Sequence, residues 1–145
     1  MTQKAQLLRV IEQDLVDDLR GYEQLAGWMT RLYGWLMARD CPQIDLANQQ
    51  ISALLDAASL RARRRTKVLQ ALRISGDSCS MGQLFALLAP TRSALLQGTW
   101  NRLTERVACC RQLNERNGKL LAMHSDILQQ LFSRQYPESL YQPCL

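Results

Sequence analysis

Apolar residues recur along most of this chain at alternating spacings of three and four positions. The first such row extends over residues 3–39, and only Asp18 departs from the apolar pattern. Similar rows cover residues 44–74 and 90–134, and a short apolar stretch covers residues 81–88. Because this spacing keeps one face of an α-helix apolar, the pattern predicts three long helices and one short helix.

Proline and small polar residues separate the predicted helices. Pro42 follows the first row, residues 75–80 follow the second, and Pro90 precedes the third. Proline fits the first turn of a helix, where its missing N–H is not needed, so Pro90 predicts a helix start. Asp45 is the predicted N-cap of the second helix. Gly118, inside the third row, predicts either a close approach of two backbones or a point where the helix flexes.

Composition supports an all-α fold. The chain has 145 residues, which suits one domain, and 26 Leu against only 5 Ile and 4 Val. Leucine keeps most of its rotamer freedom in a helix, whereas β-branched residues favour strands. The prediction is therefore an antiparallel bundle of three long helices plus one short helix. In this prediction residues 1–133 form the bundle and residues 134–145 form a flexible C-terminal tail.

Cysteine usage and hydropathy favour a reduced, cytoplasmic setting. The five cysteines are odd in number and form no Cys-x-x-Cys pair, which argues against a disulfide framework. The charged N-terminal stretch has no apolar run of signal-peptide length, and no segment approaches the ~20 apolar residues of a membrane span. We therefore expect a cytoplasmic protein without stable membrane insertion.

Few residues of this chain could carry chemistry. His124 is the single histidine, and the sequence nominates no nucleophile or carboxylate to work beside it. One histidine and scattered cysteines fall short of a zinc site. Asp14, Asp17 and Asp18 share a helical face that could hold a cation, but a solvated acidic face is the simpler expectation. The sequence thus predicts a protein that is not an enzyme, with no catalytic residue, metal or cofactor.

Basic charge is concentrated in one segment, residues 61–67. Residues 61–75 carry six basic and no acidic residues, whereas residues 1–60 hold five basic and eight acidic residues. The segment either neutralises the acidic first helix beside it or contacts the phosphates of nucleic acid or lipid headgroups. No helix-turn-helix or other nucleic-acid signature accompanies it, so neutralisation is the preferred interpretation.

Two tryptophans lie off the apolar row of the first helix. Trp28 and Trp35 are seven residues apart, so they share one helical face. This face either packs against a second helix of the bundle, which is the preferred interpretation, or offers an apolar surface to a partner helix.

The most distinctive polar residues of the third row lie in the segment Leu113-Asn114-Glu115-Arg116-Asn117-Gly118-Lys119-Leu120-Leu121. Asn114 and Asn117 stand among leucines, where buried amides lower stability but can fix helix register. The segment resembles the Leu-Asn-x-x-Asn-Gly-x-Leu-Leu signature of flagellar export chaperones of the FlgN type. The pair Leu140-Tyr141 resembles the end of the same family.

This resemblance implies a bacterial cytosolic chaperone. Such chaperones bind the C-terminal helices of hook-associated proteins one and three, prevent their premature assembly and deliver them to the flagellar type III export gate. The resemblance assigns substrate binding to the C-terminal part of the chain and docking at the export gate to Leu140 and Tyr141. The nominated substrate-binding residues are Leu113, Asn114, Asn117, Leu120, Leu121, His124 and Leu128.

Two other interpretations stay open. The chain could be a nucleic-acid-associated helical protein that uses residues 61–67, or a coupling protein that organises a secretion ATPase. The leading interpretation expects no nucleic-acid partner; its partners are the hook-associated proteins and the export gate with its ATPase complex. An exposed apolar seam could also let two copies form a homodimer.

Overall fold

The computed structural model describes residues 2–74 and 80–135, and the regular structure within these ranges is entirely helical. The four helices are α1 (Gln3–Ala38), α2 (Cys41–Ala71), α3 (Ser80–Ala86) and α4 (Pro90–Gln135). The predicted all-α fold, with three long helices and a short one, is confirmed. Residues 136–145, most of the predicted tail, lie outside the described residues.

A two-residue link joins α1 to α2. Arg39 adopts the left-handed conformation (φ 55°) that ends α1, and the Asp40 side chain caps α2 by accepting a hydrogen bond from the Gln43 N–H, 3.4 Å away. The prediction of Asp45 as the N-cap is wrong. Because Pro42 is accommodated in the first turn, α2 begins before it, and Asp45 is an exposed position within the helix.

Helix α1 is the central helix of the molecule. It packs along both α2 and α4, whereas α2 and α4 make few contacts with each other. This arrangement explains why α1 has the longest set of buried residues, while only Ala47, Val68 and Leu69 are buried in α2. The two outer helices therefore remain partly separated above α1.

The core consists of three clusters spaced along α1. The largest includes the fully buried Ile11 and Leu15 together with Leu84 of α3. The second cluster consists of Leu25, Met29 and Cys110. The third consists of Leu32, Leu36, Ala47 and Leu120. Helix α3 thus closes one end of the bundle, and the third cluster marks the opposite end.

Helix α4 continues beyond that opposite end. It is 46 residues long, whereas α1 has 36 residues. Leu120 is the last buried residue within positions 90–133 of α4. The contacts of Cys110 with Tyr22 and of Asn117 with Met29 show that α4 extends beyond the end of α1 from about residue 127. We refer to residues 121–135, which follow the last buried position and include this extension, as the α4 overhang. At 1.5 Å per residue the overhang is about 22 Å long.

Of the two alternatives predicted for Gly118, the close approach of two backbones is wrong, and a point where the helix flexes stays a prediction. A Cβ built on Gly118 would meet no atom within 4 Å, and the helix continues through this position to Gln135. Gly21 is different, because a Cβ there would come within 2.8 Å of the Arg61 guanidinium. The small residue at position 21 therefore leaves room for an arginine of α2.

Candidate functional site

The exposed apolar side chains of the α4 overhang form the candidate site. Leu121 is 56% exposed, Leu128 is 48% exposed and Leu131 is 47% exposed. Met123 and Ile127 are exposed as well. Spacings of three, four and seven residues place these side chains on one broad helical face. A contiguous exposed apolar patch of this kind marks an interaction site.

The apolar face of the overhang continues the row through which α4 packs on α1. The buried positions of this row follow each other at intervals of seven residues: Leu96, Leu103, Cys110 and Asn117. The same interval leads to His124, which is half-buried, and to the exposed Leu131. The contacts of Cys110 with Tyr22 and of Asn117 with Met29 place Ala38, the last residue of α1, level with about residue 126 of α4, so the row lacks a helix to cover it only beyond that point, at Leu131. Another amphipathic helix has the shape and chemistry to take that place.

The seven residues nominated for substrate binding divide into two groups. Those that lie against α1 are Leu113, Asn117 and Leu120. The other four are the exposed Asn114, Leu121 and Leu128 and the half-buried His124. Leu140 and Tyr141, nominated for docking at the export gate, lie outside the described residues. Sequence reasoning nominated neither Met123 nor Ile127, although the three-and-four spacing along α4 could have found them.

Asn117 joins α4 to α1 by a buried hydrogen bond. Its Nδ2 donates to the backbone carbonyl of Met29 at 2.9 Å, while its buried Oδ1 has no hydrogen-bond partner among residues 2–74 and 80–135. Next to it, the Arg116 guanidinium lies 3.8 Å from the centre of the Tyr33 ring. A buried amide with one unsatisfied oxygen lowers stability but accepts only one helix register. The central part of the signature segment therefore positions α4 on α1.

The basic segment 61–67 pairs with the acidic face of α1. The Asp18 carboxylate accepts hydrogen bonds from Arg61 at 2.6 Å and from Arg65 at 2.7 Å. Asp14 accepts two hydrogen bonds from Arg64, at 2.5 and 2.8 Å, and this contact raises the pKa of the arginine. The expectation of a solvated acidic face is wrong for Asp14 and Asp18, since both are buried. The preferred interpretation, neutralisation of the first helix, is confirmed.

The two tryptophans of α1 pack against the third core cluster, at the end of the bundle opposite α3. The centres of the Trp28 and Trp35 rings are 6.5 Å apart. Both residues are partly buried against the cluster that contains Leu36 and Ala47, and the Arg31 guanidinium lies 4.2 Å from the Trp28 ring. The preferred interpretation, packing against a second helix, is confirmed for this face.

Within residues 2–74 and 80–135, no group of three or more His, Cys, Asp or Glu residues is placed to hold a metal ion. Among the helices described, none combines the length and the apolar character that crossing a membrane requires.

Cys110 is a buried thiol that donates to the Tyr22 carbonyl at 3.3 Å, and burial raises its pKa to about 11. This thiol packs within the core.

These features define a class of protein: an all-α protein whose longest helix carries an uncovered apolar end, suited to hold another helix. A family model described as FlgN protein matches residues 1–138. The chain therefore belongs to the FlgN family, a family of chaperones for flagellar assembly and type III export, as its signature segment predicts. Searches of the curated proteins and of the solved structures returned no match.

Proposed function

We propose that this protein holds the amphipathic C-terminal helices of hook-associated proteins one and three on its α4 overhang. Covering those helices keeps the subunits from assembling before export. The observation that carries the proposal is the exposed apolar face of residues 121–131, which follows the last buried contact of α4 with α1 and whose final part, from Ile127 on, extends beyond the end of α1. The family membership supplies the context of flagellar export.

The size of the overhang suits a chaperone that must also release its substrate. Its row covers about two heptads, and burying the rest of a half-exposed leucine contributes about 1 kcal/mol. A few such leucines, less the cost of ordering the partner helix, give binding that is moderate and reversible. His124 lies within this row and keeps it from being wholly apolar.

The arrangement of the long helices gives the overhang its position. As the residue number rises along α1, the number of the contacting residue in α2 falls: Asp14 contacts Arg64, and Asp18 contacts Arg61. We propose that α2 runs antiparallel to α1, and that α4, whose numbering rises along α1, runs parallel to it. The α4 overhang would then lie at the end of the bundle where α1 passes into α2.

Delivery is the second half of the proposed function. Leu140 and Tyr141 would dock the loaded chaperone at the export gate and its ATPase complex in the bacterial cytoplasm. Tyr141→Ala should then leave binding of the substrate peptide unchanged and reduce secretion of hook-associated proteins. Secretion at the level of the unaltered chain would contradict this assignment.

Binding to the overhang is tested with two single substitutions, Leu121→Asp and Leu128→Asp. Each places a charge where the partner helix should bury a leucine, so each should raise the Kd for a C-terminal peptide of hook-associated protein one or three at least about tenfold. Leu60→Asp is the matched control, because Leu60 is an exposed leucine of α2 away from the overhang. Equal Kd values for all three variants, measured by calorimetry, would overturn the proposal.

A further inference from the structure

A groove runs between α2 and α4 above the central helix α1. Its volume is about 330 Å³, and residues that line it include Tyr22, Ala58, Ala62, Trp100, Val107 and Arg111. The groove exists because α2 and α4 both pack on α1 and make few contacts with each other. The small side chains of Ala58 and Ala62 leave space on the α2 wall, while Trp100 and Val107 make the α4 wall apolar.

The groove and the overhang lie on the same side of α4. Residues spaced by seven along this helix are Trp100, Val107, Asn114, Leu121 and Leu128. Trp100 and Val107 line the groove, and Leu121 and Leu128 are exposed on the overhang. The seven-residue spacing stays in register with α1, because the buried residues of α4 keep the same interval up to Asn117. The α4 wall of the groove therefore continues directly into the overhang.

The opposite wall also extends towards the overhang. Leu55 is an exposed leucine of α2 that lies seven residues before Ala62, on the same helical face. The end of α2 beyond Leu55 is the end at which Ala47 packs with Leu120 of α4. A helix seated in the groove would thus contact apolar residues of both outer helices before it reaches the overhang.

Charge along the groove indicates what the occupant carries. Asp18 and Arg65, which both line the groove, already form an ion pair with each other at 2.7 Å. Arg111 also lines the groove, is exposed, and has no ion pair within residues 2–74 and 80–135. A carboxylate on the occupant, level with Arg111, would match this charge.

We propose that the substrate helix binds along the whole track formed by the groove and the overhang, as a fourth long helix of the bundle. The track from Trp100 to Leu128 corresponds to about 28 helical residues, or ~42 Å. The occupant is an amphipathic helix of about four heptads with an acidic residue opposite Arg111. This inference rests on the proposed function and extends its site from the overhang into the bundle.

The groove is tested with Ala62→Trp, which fills it, and Ala53→Trp as the matched control on an exposed position of α2 outside it. The probe is the C-terminal helix peptide of hook-associated protein one or three, about 28 residues long. Ala62→Trp should raise its Kd at least about tenfold, and Ala53→Trp should leave the Kd within about twofold. Ala108→Trp blocks the groove from the α4 side if Ala62→Trp does not fold, as judged by circular dichroism.

Comparison with Leu128→Asp separates the two proposals. If Leu128→Asp weakens binding and both groove variants do not, the groove inference is overturned while binding at the overhang stands. If only the groove variants weaken binding, the continuous track and the overhang site are both overturned. Loss of affinity in Leu128→Asp, Ala62→Trp and the charge reversal Arg111→Glu, with Ala53→Trp unaffected, supports the whole track.

Discussion

Asp14 and Asp18 are deeply buried carboxylates of α1, and each is paired with arginine of α2, Asp14 with Arg64 and Asp18 with Arg61 and Arg65. Removing a carboxylate from water is costly, and its attraction to an arginine offsets this cost only with good geometry. Asp18 achieves that geometry with two arginines, Arg61 and Arg65, within 2.7 Å. Such a network adds little net stability, but it accepts only one register of α2 against α1.

Replacing Asp18 should therefore destabilise the protein strongly. Asp18→Asn leaves the partly buried Arg61 and Arg65 without their counter-charge, so the free energy of unfolding should fall by about 3–5 kcal/mol. Urea denaturation measures this change. Asp17→Asn is the control from the same turn, since within residues 2–74 and 80–135 the Asp17 carboxylate accepts a hydrogen bond only from Gln13, at 3.1 Å, and the change should alter stability by less than about 0.5 kcal/mol. Similar losses in both variants would contradict the role given to the network.

The buried Cys110 thiol predicts that the free energy of unfolding depends on pH. Its pKa is raised from 9.0 to about 11 because burial disfavours the thiolate, so the unfolded chain loses this proton first as the pH rises. The stability contributed by the neutral thiol is complete below pH 9 and is lost between about pH 9 and 11. Unfolding free energies should fall over this range by about 2 kcal/mol more in the unaltered protein than in Cys110→Ala.

Alkylation offers a second readout of the same burial. At pH 8, iodoacetamide should modify the exposed Cys41 well before the buried Cys110, as followed by peptide mass spectrometry. Equal modification rates of the two thiols in the folded protein, or parallel pH profiles of the protein and Cys110→Ala, would refute the assignment.

At the scale of helices, the sequence predicted correctly that four helices form and about how far each one extends. Periodic leucines and the prolines at 42 and 90 placed all four helices, because amphipathic spacing and proline geometry act locally. The site was predicted only in part. Asn114 and Asn117 look alike in the sequence, yet one is exposed and the other is buried against Met29. Which of them faces α1 depends on the relative position and length of two helices, and a single row of residues does not contain that information.

The overhang should be the least protected part of α4. An isolated helix of 12–15 residues is marginal in water, and residues 121–133 have no buried member to support them. Amides of residues 123–133 should therefore exchange with deuterium far faster than those of residues 103–117 in the free protein. Adding the substrate peptide should slow exchange in both the overhang and its junction with the bundle. Equal protection of the two segments in the free protein would contradict this prediction.

At the scale of the whole molecule, the net charge of +5 overstates the attraction for nucleic acid. In the segment 61–67, Arg61, Arg64 and Arg65 are engaged by carboxylates of α1. Arg63 and Lys67 have no ion pair within the described ranges 2–74 and 80–135. Charge that is already matched within the bundle releases few counterions on contact with a phosphate backbone.

The salt dependence of duplex DNA binding measures how much of this charge is available. With two free cations in the segment 61–67, the slope of log K against log salt should be about −2, whereas phosphate contacts by all five basic residues of this segment would give about −4 to −5. Fluorescence anisotropy with a duplex at several salt concentrations provides the slope, and the double variant Arg63→Glu and Lys67→Glu should remove most of it. A slope near −5 that survives this double substitution would show that the arginines leave Asp14 and Asp18 to bind phosphate, and would restore the nucleic-acid interpretation. A slope near −2 would agree with the structural role that the contacts of these arginines indicate. In that role they hold α2 against α1, the helix on which α4 packs.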